Sequence, residues 1–346
     1  MKILNFTISG TDEIRFGVLI NNVVVSFDTL QKTFVTSYEH LSDIQTYLEN
    51  FPESEKSAKS LLISAEKSFS QIADEEKFDS DQINILPPVP EPPAMFDFAL
   101  SPEHLKNSAL TMIKYEKKWP TSSFLKMMIK AGYKKSKNEK DFKYYKCNHN
   151  SIIGDGDSTI WPAYSYYLDI EPELAIVTGK TGLNMTKDDL KSAIAGYTIL
   201  NDFSARDVQW PEMMAFLGPT RSKDLEKGNG IGPFLVTSDE VSDPLKLNVS
   251  VNISDRDEWT GNTSGYNVHP LEIIEYISGF RSLKPGTIIG MGTIPWCCGL
   301  DRDEWILPGD KIKITFECLG TLHQTIPSDI KIIDEPRWKS RPELFI

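Results

Sequence analysis

Apolar residues come in two short runs along "FGVLINNVVVSF", residues 16–27, joined at Asn21-Asn22. That is the pattern of a β-hairpin, because Asn tolerates the positive φ of a tight turn. The spacing then changes. Leu41, Ile44 and Leu48 recur at helical intervals, and helices are expected over about 38–50 and 56–77. "ILPPVPEPPAMF" follows, with five prolines that make it stiff and extended. A boundary is expected there, near 86–92, dividing the chain into a small N-terminal β/α domain (1–88) and a catalytic domain (89–346). "AMFDFAL" then reads as a strand and "SPEHLKNSALTMIKYEKK" as a helix, with Ser101 as N-cap and Pro102 at the first helical position. Beyond residue 150 strands dominate, at 168–177, 196–201, 230–237, 247–254, 287–292, 311–318 and 328–333. Helices interrupt at about 186–194 and 270–279, the second with His269 as a cap or packing residue. Strands without regular βαβ alternation predict a β-rich α+β fold.

Composition narrows the function. Of 346 residues, 40% are apolar and 25% charged, as in an ordinary globular protein. The net charge of −12 argues against nucleic acid or anionic membrane as partners. No apolar run is long enough to span a bilayer, and acids interrupt the N-terminus where a signal peptide has its apolar core, so a cytoplasmic location is expected. Four cysteines are too few for a disulfide scaffold, and Cys297-Cys298 lack metal-ligand spacing, so reduced thiols are expected. One segment, Lys114 to Lys146, is dense in lysine. It reads as a solvated helix-and-loop face or as a patch that steers an anionic substrate.

"YYLDIEPELAIV", residues 166–177, poses the chemical question. In a strand, Asp169, Glu171 and Glu173 would project to one face, where like charges repel. The intervening residues are apolar, so the strand should be buried, and Pro172 points to an edge or a bulge. A hard divalent cation held by all-oxygen ligands (Mg²⁺, Mn²⁺ or Ca²⁺) would relieve the repulsion. A second polar cluster ends the strand in "GYTILNDFSARDVQ", residues 196–209. A third stretch, "FDFALSPEH", carries Asp97 and His104, and a fourth, "GMGTIPWCCG", is a glycine-rich turn with Thr293.

Together these stretches resemble the fumarylacetoacetate hydrolase family over most of residues 90–330. The E-x-E pair, the N-D-x-S-A-R-D-x-Q run and the G-T-I turn stand in that family's order. The resemblance implies a β-roll built on a mixed sheet, a bound divalent cation (Mg²⁺, or Ca²⁺ or Mn²⁺), a small anionic oxo-acid substrate and a homodimer. It implies metal ligation by Glu171, Glu173 and Asp202, with Asp97 as a further ligand. It makes His104 the base that activates water, and Arg206, Gln209 and Thr293 substrate contacts. Lys223 stands beside metal and substrate oxygens. Asp169 has no counterpart among the ligands and is left as a supporting or solvated acid.

Two departures from the family pattern stand out. The segment after Lys223, "DLEKGNGIGPF", is long and polar. The loop "IPWCCGLDRDEWILPGD" is short, where fumarylacetoacetases carry a glutamate that orients the histidine; Glu304 is a stand-in. Asn107 replaces the glutamate typical of acylpyruvase-type members. The expected reaction is metal-dependent hydrolysis of a C–C bond in a β-diketo acid. Two alternatives stay open: a lyase (2-oxo acid hydratase, dehydratase or oxaloacetate decarboxylase) using the same residues, and a metal-stabilised binding protein without turnover.

Overall fold

The Asn21-Asn22 turn forms with φ of 49° and 68° at its two residues, and it joins β2 (Arg15–Ile20) to β3 (Val23–Ser26) beside β1 (Lys2–Ile8). The structure, a computed structural model, describes residues 1–118, 120–190, 192–216 and 218–345. Helix α1 (Phe27–Thr33) starts at Ser26, whose hydroxyl accepts from Thr29 N–H at 3.0 Å. The helix expected over 38–50 begins later, as α2 (Ile44–Glu49), because the Asp43 carboxylate caps Thr46 N–H at 2.8 Å and starts a new helix there. The next, α3 (Glu53–Lys67), ends ten residues before its expected limit of 77, and single 3₁₀ turns follow it. Strand β4 (Ile83–Leu86) pairs with β1.

The remaining elements in chain order are β5 (Met95–Phe98), α4 (Pro102–Glu116), α5 (Thr121–Ser136), β6 (Tyr144–Lys146), β7 (Ile152–Ile153), β8 (Leu168–Asp169) and β9 (Pro172–Thr178). Next come α6 (Lys187–Leu190), β10 (Ile194–Asp202), β11 (Ser204–Ala205), α7 (Arg206–Met214) and β12 (Asn229–Thr237). The chain continues through β13 (Asn248–Ile253), β14 (Trp259–Asn262), α8 (Pro270–Ser278), β15 (Ile288–Gly290), α9 (Gly299–Arg302), β16 (Lys311–Phe316) and β17 (Gly320–Thr325).

A large mixed sheet runs β3-β2-β1-β12-β10-β9-β15-β5-β6, with β4 beside β1 and β7 beside β12. The β15–β5 and β12–β7 pairs are parallel and the other pairs antiparallel. This is the expected sheet-rich α+β architecture. A smaller sheet, β14-β13-β16-β17, packs against it, and β8 pairs with β11.

Both faces of the large sheet are covered, and alternate residues enter different cores. On β9, Leu174 and Ile176 join the C-terminal core, while Ala175 and Val177 join the core formed with α1–α3. On β10, Tyr197 and Ile199 take the first side and Leu200 the second. Every residue of β9 is buried, and the strand lies between β10 and β15. The edge or bulge expected at Pro172 is therefore not there. Proline is accommodated because it is the first residue of its strand. The strand expected at 328–333 is irregular, with Ile330 and Ile332 packing on the core without a ladder. Strand β17 escapes the hydrophobic pattern because one of its two inward positions is Gln324 rather than an apolar residue. No described helix is long and apolar enough to cross a membrane.

Candidate active site

Asp97 (β5), Glu173 (β9) and Asp202 (β10) project from strands of one sheet, with β15 between β5 and β9, on the face of Met95, Ala175 and Leu200. One carboxylate oxygen from each lies within 4.8 Å of the other two. Gly290 on β15 makes the convergence possible. A Cβ there would sit 2.6 Å from Glu173 Oε2 and 2.9 Å from Asp97 Oδ1. Asp97 Oδ1, Glu173 Oε1 and Asp202 Oδ1 are buried without a hydrogen-bond partner. Burial, with Asp202 nearby and against the pull of Lys223, pushes Asp97 up to about 7. Burial and Asp97 hold Glu173 well above the usual carboxylate range. Three unpartnered carboxylate oxygens with no softer donor among them fit a hard divalent cation of the Mg²⁺, Mn²⁺ or Ca²⁺ type.

Glu171 is placed differently from Glu173. It precedes β9, and both its oxygens are engaged: Oε1 lies 2.6 Å from Arg206 Nη1, and Oε2 accepts from Lys223 Nζ. Against the effect of burial, Arg206 and Lys223 hold it well below the usual carboxylate range. Lys223 also donates to Asp202 Oδ2, as does the Tyr145 hydroxyl. The ammonium therefore bridges the two acids, 5.3 Å from the centre of the Tyr145 ring.

Arg206 is 1% exposed. Its Nε donates to Asp169 at 2.8 Å and its Nη1 to Gln209 Oε1 at 3.1 Å, while Nη2 is buried without a partner. Asp169 is not solvated. It accepts from Arg206 and from the N–H groups of Gly299 and Leu300 at 2.7 and 2.9 Å, which ties the arginine to the start of α9. Thr293 is buried in the loop after β15.

His104 lies on the first turn of α4 and is also buried. Ser101 occupies the N-cap position, but its hydroxyl is buried and unpartnered rather than capping. His104 Nδ1 is 2.9 Å from Asp301 Oδ1, and Nε2 is 3.5 Å from Glu171 Oε1, so Nε2 faces the acid cluster. Burial disfavours charge on the ring, but Asp301 outweighs it and raises His104 well above its ordinary value. The orienting acid is thus Asp301 and not Glu304. Glu304 is exposed and faces Arg302 at 3.6 Å. Asp301 is fixed in turn by Trp296 N–H at 2.9 Å and by the Asn107 amide at 3.4 Å. His269 accepts from Leu271 N–H as the cap of α8 and takes no part in the cluster.

Sequence reasoning missed Asp301 and Tyr145. Asp301 stood in the loop already singled out, three positions before the acid chosen. Tyr145 lay inside the lysine-rich run read as solvated. In that run Lys114 pairs with Asp303, Lys140 with Glu272 and Lys143 with Asp141. A cleft of about 510 Å³ opens beside Lys223 and Tyr145, lined also by Asn148, His149 and Thr220. A larger concavity of about 880 Å³ lies away from the acids, near Arg15, Thr29 and Glu76, where Glu76 accepts from Arg15 Nη1 and from the Thr29 hydroxyl.

The family model of the fumarylacetoacetate (FAA) hydrolase C-terminal domain matches residues 123–327. The uncharacterized protein SH1982 of Staphylococcus haemolyticus is 30% identical over 335 residues, covering 95% of this chain and all of that protein. Among solved structures, fumarylacetoacetate hydrolase from Exiguobacterium antarcticum shares the fold with a TM-score of 0.68 at 20% identity, over 95% of this chain and 100% of that one. Maleylpyruvate hydrolase from Sphingobium sp. SYK-6, in complex with manganese(II) and pyruvate, gives 0.64 at 20% identity, over 94% and 99%.

Proposed function

The chain belongs to the fumarylacetoacetate hydrolase family, and from that premise we propose that it is a divalent-metal-dependent hydrolase cleaving a C–C bond in a small anionic β-diketo acid. The observation that carries this reading is the meeting of three unpartnered carboxylate oxygens with a buried histidine–aspartate pair. Asp97, Glu173 and Asp202 would hold the cation, and Glu171 would join them on releasing Lys223. When bound, the cation supplies Lewis acidity, polarising a substrate carbonyl and stabilising negative charge on the departing carbon. The sphingobial relative is described with manganese and pyruvate, which is in keeping with an oxo acid at such a centre.

The chain's own groups supply the remainder. Asp301 holds the Nδ1 proton of His104, which leaves the Nε2 lone pair facing the acid cluster, where it takes a proton from water. Lys223 and Arg206 Nη2 offer donors to the substrate carboxylate and to the oxygen that gains charge as water adds. Gln209 fixes Arg206 for that contact, and Thr293 lines the turn after β15. Tyr145 and the cleft beside it give an anionic substrate its way in. A homodimer in the cytoplasm completes the proposal.

One observation favours a second reading. The raised His104 would carry a proton near neutrality, and a protonated histidine quenches an enolate after CO₂ loss, as an oxaloacetate decarboxylase requires. Turnover of a panel of acylpyruvates, fumarylacetoacetate-like diketo acids and oxaloacetate, with Mg²⁺ and with chelator, tests the proposal. Chelator-sensitive cleavage of a diketo acid supports it. Preference for oxaloacetate with CO₂ release supports the second reading.

A further inference from the structure

Around the Nδ1 side of His104 lies a second group of donor atoms, of which Ser108 Oγ also reaches Nε2 at 3.2 Å. Cys298 Sγ is 3.7 Å from His104 Nδ1, and Asp301 Oδ1 is 2.9 Å from the same nitrogen. Ser108 Oγ lies 3.3 Å from Nδ1 and 3.4 Å from Asp301 Oδ1. Ligands about 2.0–2.3 Å from a tetrahedral zinc ion lie about 3.3–3.8 Å from one another. The Cys298 and Ser108 separations fall in that range. The 2.9 Å from Nδ1 to Asp301 Oδ1 is a hydrogen-bond contact that would lengthen on binding. The ligand atoms of His104, Cys298 and Asp301 lie within 4.8 Å of one another, and these three residues and Ser108 are buried. The adjacent cysteines separate in space. Cys297 packs in the main core, whereas Cys298 turns into the small cluster of Met112, Tyr167 and Leu300.

We propose that Cys298, His104 and Asp301 form a binding site for a zinc-class cation, separate from the carboxylate site, and that its occupation blocks turnover by capturing His104. The blocking half rests on His104 acting as the base; the site itself does not.

The donor chemistry sorts the metals. Sulfur and imidazole nitrogen suit zinc, whereas Mg²⁺ and Ca²⁺ take the oxygens of Asp97, Glu173 and Asp202. One thiolate and one carboxylate neutralise a divalent charge in a buried place. Asp301 is already oriented by Trp296 N–H and Asn107, the kind of support that fixes a metal ligand. Burial pushes the Cys298 thiol up to about 12, so the metal-free thiol keeps its proton and is no nucleophile. On binding, the thiol proton leaves to solvent and the proton of a neutral imidazole moves from Nδ1 to Nε2. Nδ1 and sulfur then each donate an electron pair to the cation. Nε2, now protonated, has no lone pair with which to accept a proton from water.

The test is a Co²⁺ titration of Mg²⁺-saturated protein. One equivalent should produce a thiolate-to-cobalt charge-transfer band in the near ultraviolet, which Zn²⁺ should remove. Loss of a supporting residue weakens metal binding 10–100-fold, so Cys298→Ser, which removes a ligand, should lose the band and weaken Zn²⁺ binding more than about 100-fold. Cys147→Ser and Cys318→Ser should keep the band, which holds the test open should Cys298→Ser fail to fold. Absence of a thiolate band in the wild type, or its loss with Cys147→Ser or Cys318→Ser, overturns the site. Zn²⁺ should also inhibit wild-type turnover at saturating Mg²⁺ and leave Cys298→Ser at its own uninhibited rate. A cobalt band without any inhibition keeps the site, overturns the block and removes His104 from the role of base.

Discussion

His104 Nδ1 and Asp301 Oδ1 lie 2.9 Å apart across 197 residues of chain, joining the first turn of α4 to the short helix α9. This contact fixes the orientation of the ring, whose other nitrogen lies 3.5 Å from Glu171 Oε1. In the proposed mechanism Asp301 would have the orienting task of the aspartate of a serine-hydrolase triad, on an unrelated frame.

Asp301→Asn therefore leaves the fold in place and lowers kcat by about 10²-fold, within the range a general base supplies. It also moves the pH profile. In the proposed mechanism activity needs unprotonated His104, so kcat/KM should rise with pH through a value above the ordinary imidazole range. Without the Asp301 charge that limb shifts to lower pH. A profile that stays in place after the substitution would remove Asp301 from this role.

Burial and Asp97 raise Glu173 well above the usual carboxylate range, which favours its neutral form when no cation is bound. Glu173→Gln mimics that neutral form, so the metal-free melting temperature should hold or rise. The Mg²⁺-dependent rise in melting temperature should disappear; in the wild type the underlying stabilisation reaches about 2.7 kcal/mol at a hundredfold excess over Kd. Thermal scans with Mg²⁺ and with chelator decide, and an undiminished increment would contradict the ligand assignment.

The pH dependence of metal-free stability follows from Asp97. Its folded value of about 7 lies above the ordinary 3.8, so between those values the folded state binds a proton that the unfolded state does not. The stabilising effect of that proton is complete below about pH 4 and is lost as pH rises to about 7, amounting to a few kcal/mol at most. Saturating Mg²⁺ should flatten or reverse the slope, because the cation requires the carboxylate. Equal slopes with Mg²⁺ and with chelator would count against a cation at this residue.

Gly290→Ala introduces a Cβ where Glu173 Oε2 and Asp97 Oδ1 now lie. It should weaken Mg²⁺ binding at least tenfold and abolish turnover while the circular dichroism spectrum is retained. Calorimetric titration with Mg²⁺ reads it directly, and an unchanged affinity would show that the two acids do not converge on one ion.

Much of this was legible in the sequence because acids in an apolar strand are conspicuous. Glu171, Glu173 and Asp202 stood out against Leu174, Ile176 and Ile199, and the two-sided burial of β9 explains why. The division of labour between Glu171 and Glu173 was not legible. Strand alternation puts them on one face, but the ladder begins at Pro172 and leaves Glu171 to Arg206 and Lys223. Asp301 was missed because its partner is 197 residues away and the family's glutamate directed the choice to Glu304 in the same loop. Tyr145 was hidden among lysines because the antiparallel pairing of β6 with β5, which sets Tyr145 opposite Asp97, is a long-range event.

The central claim, hydrolysis of a C–C bond, is tested most directly by turnover of a β-diketo acid in ¹⁸O-labelled water with Mg²⁺ present. The account predicts one labelled oxygen in the newly formed carboxylate, at a rate that His104→Ala lowers by about 10²–10⁴-fold. Unlabelled products with release of CO₂ would contradict it.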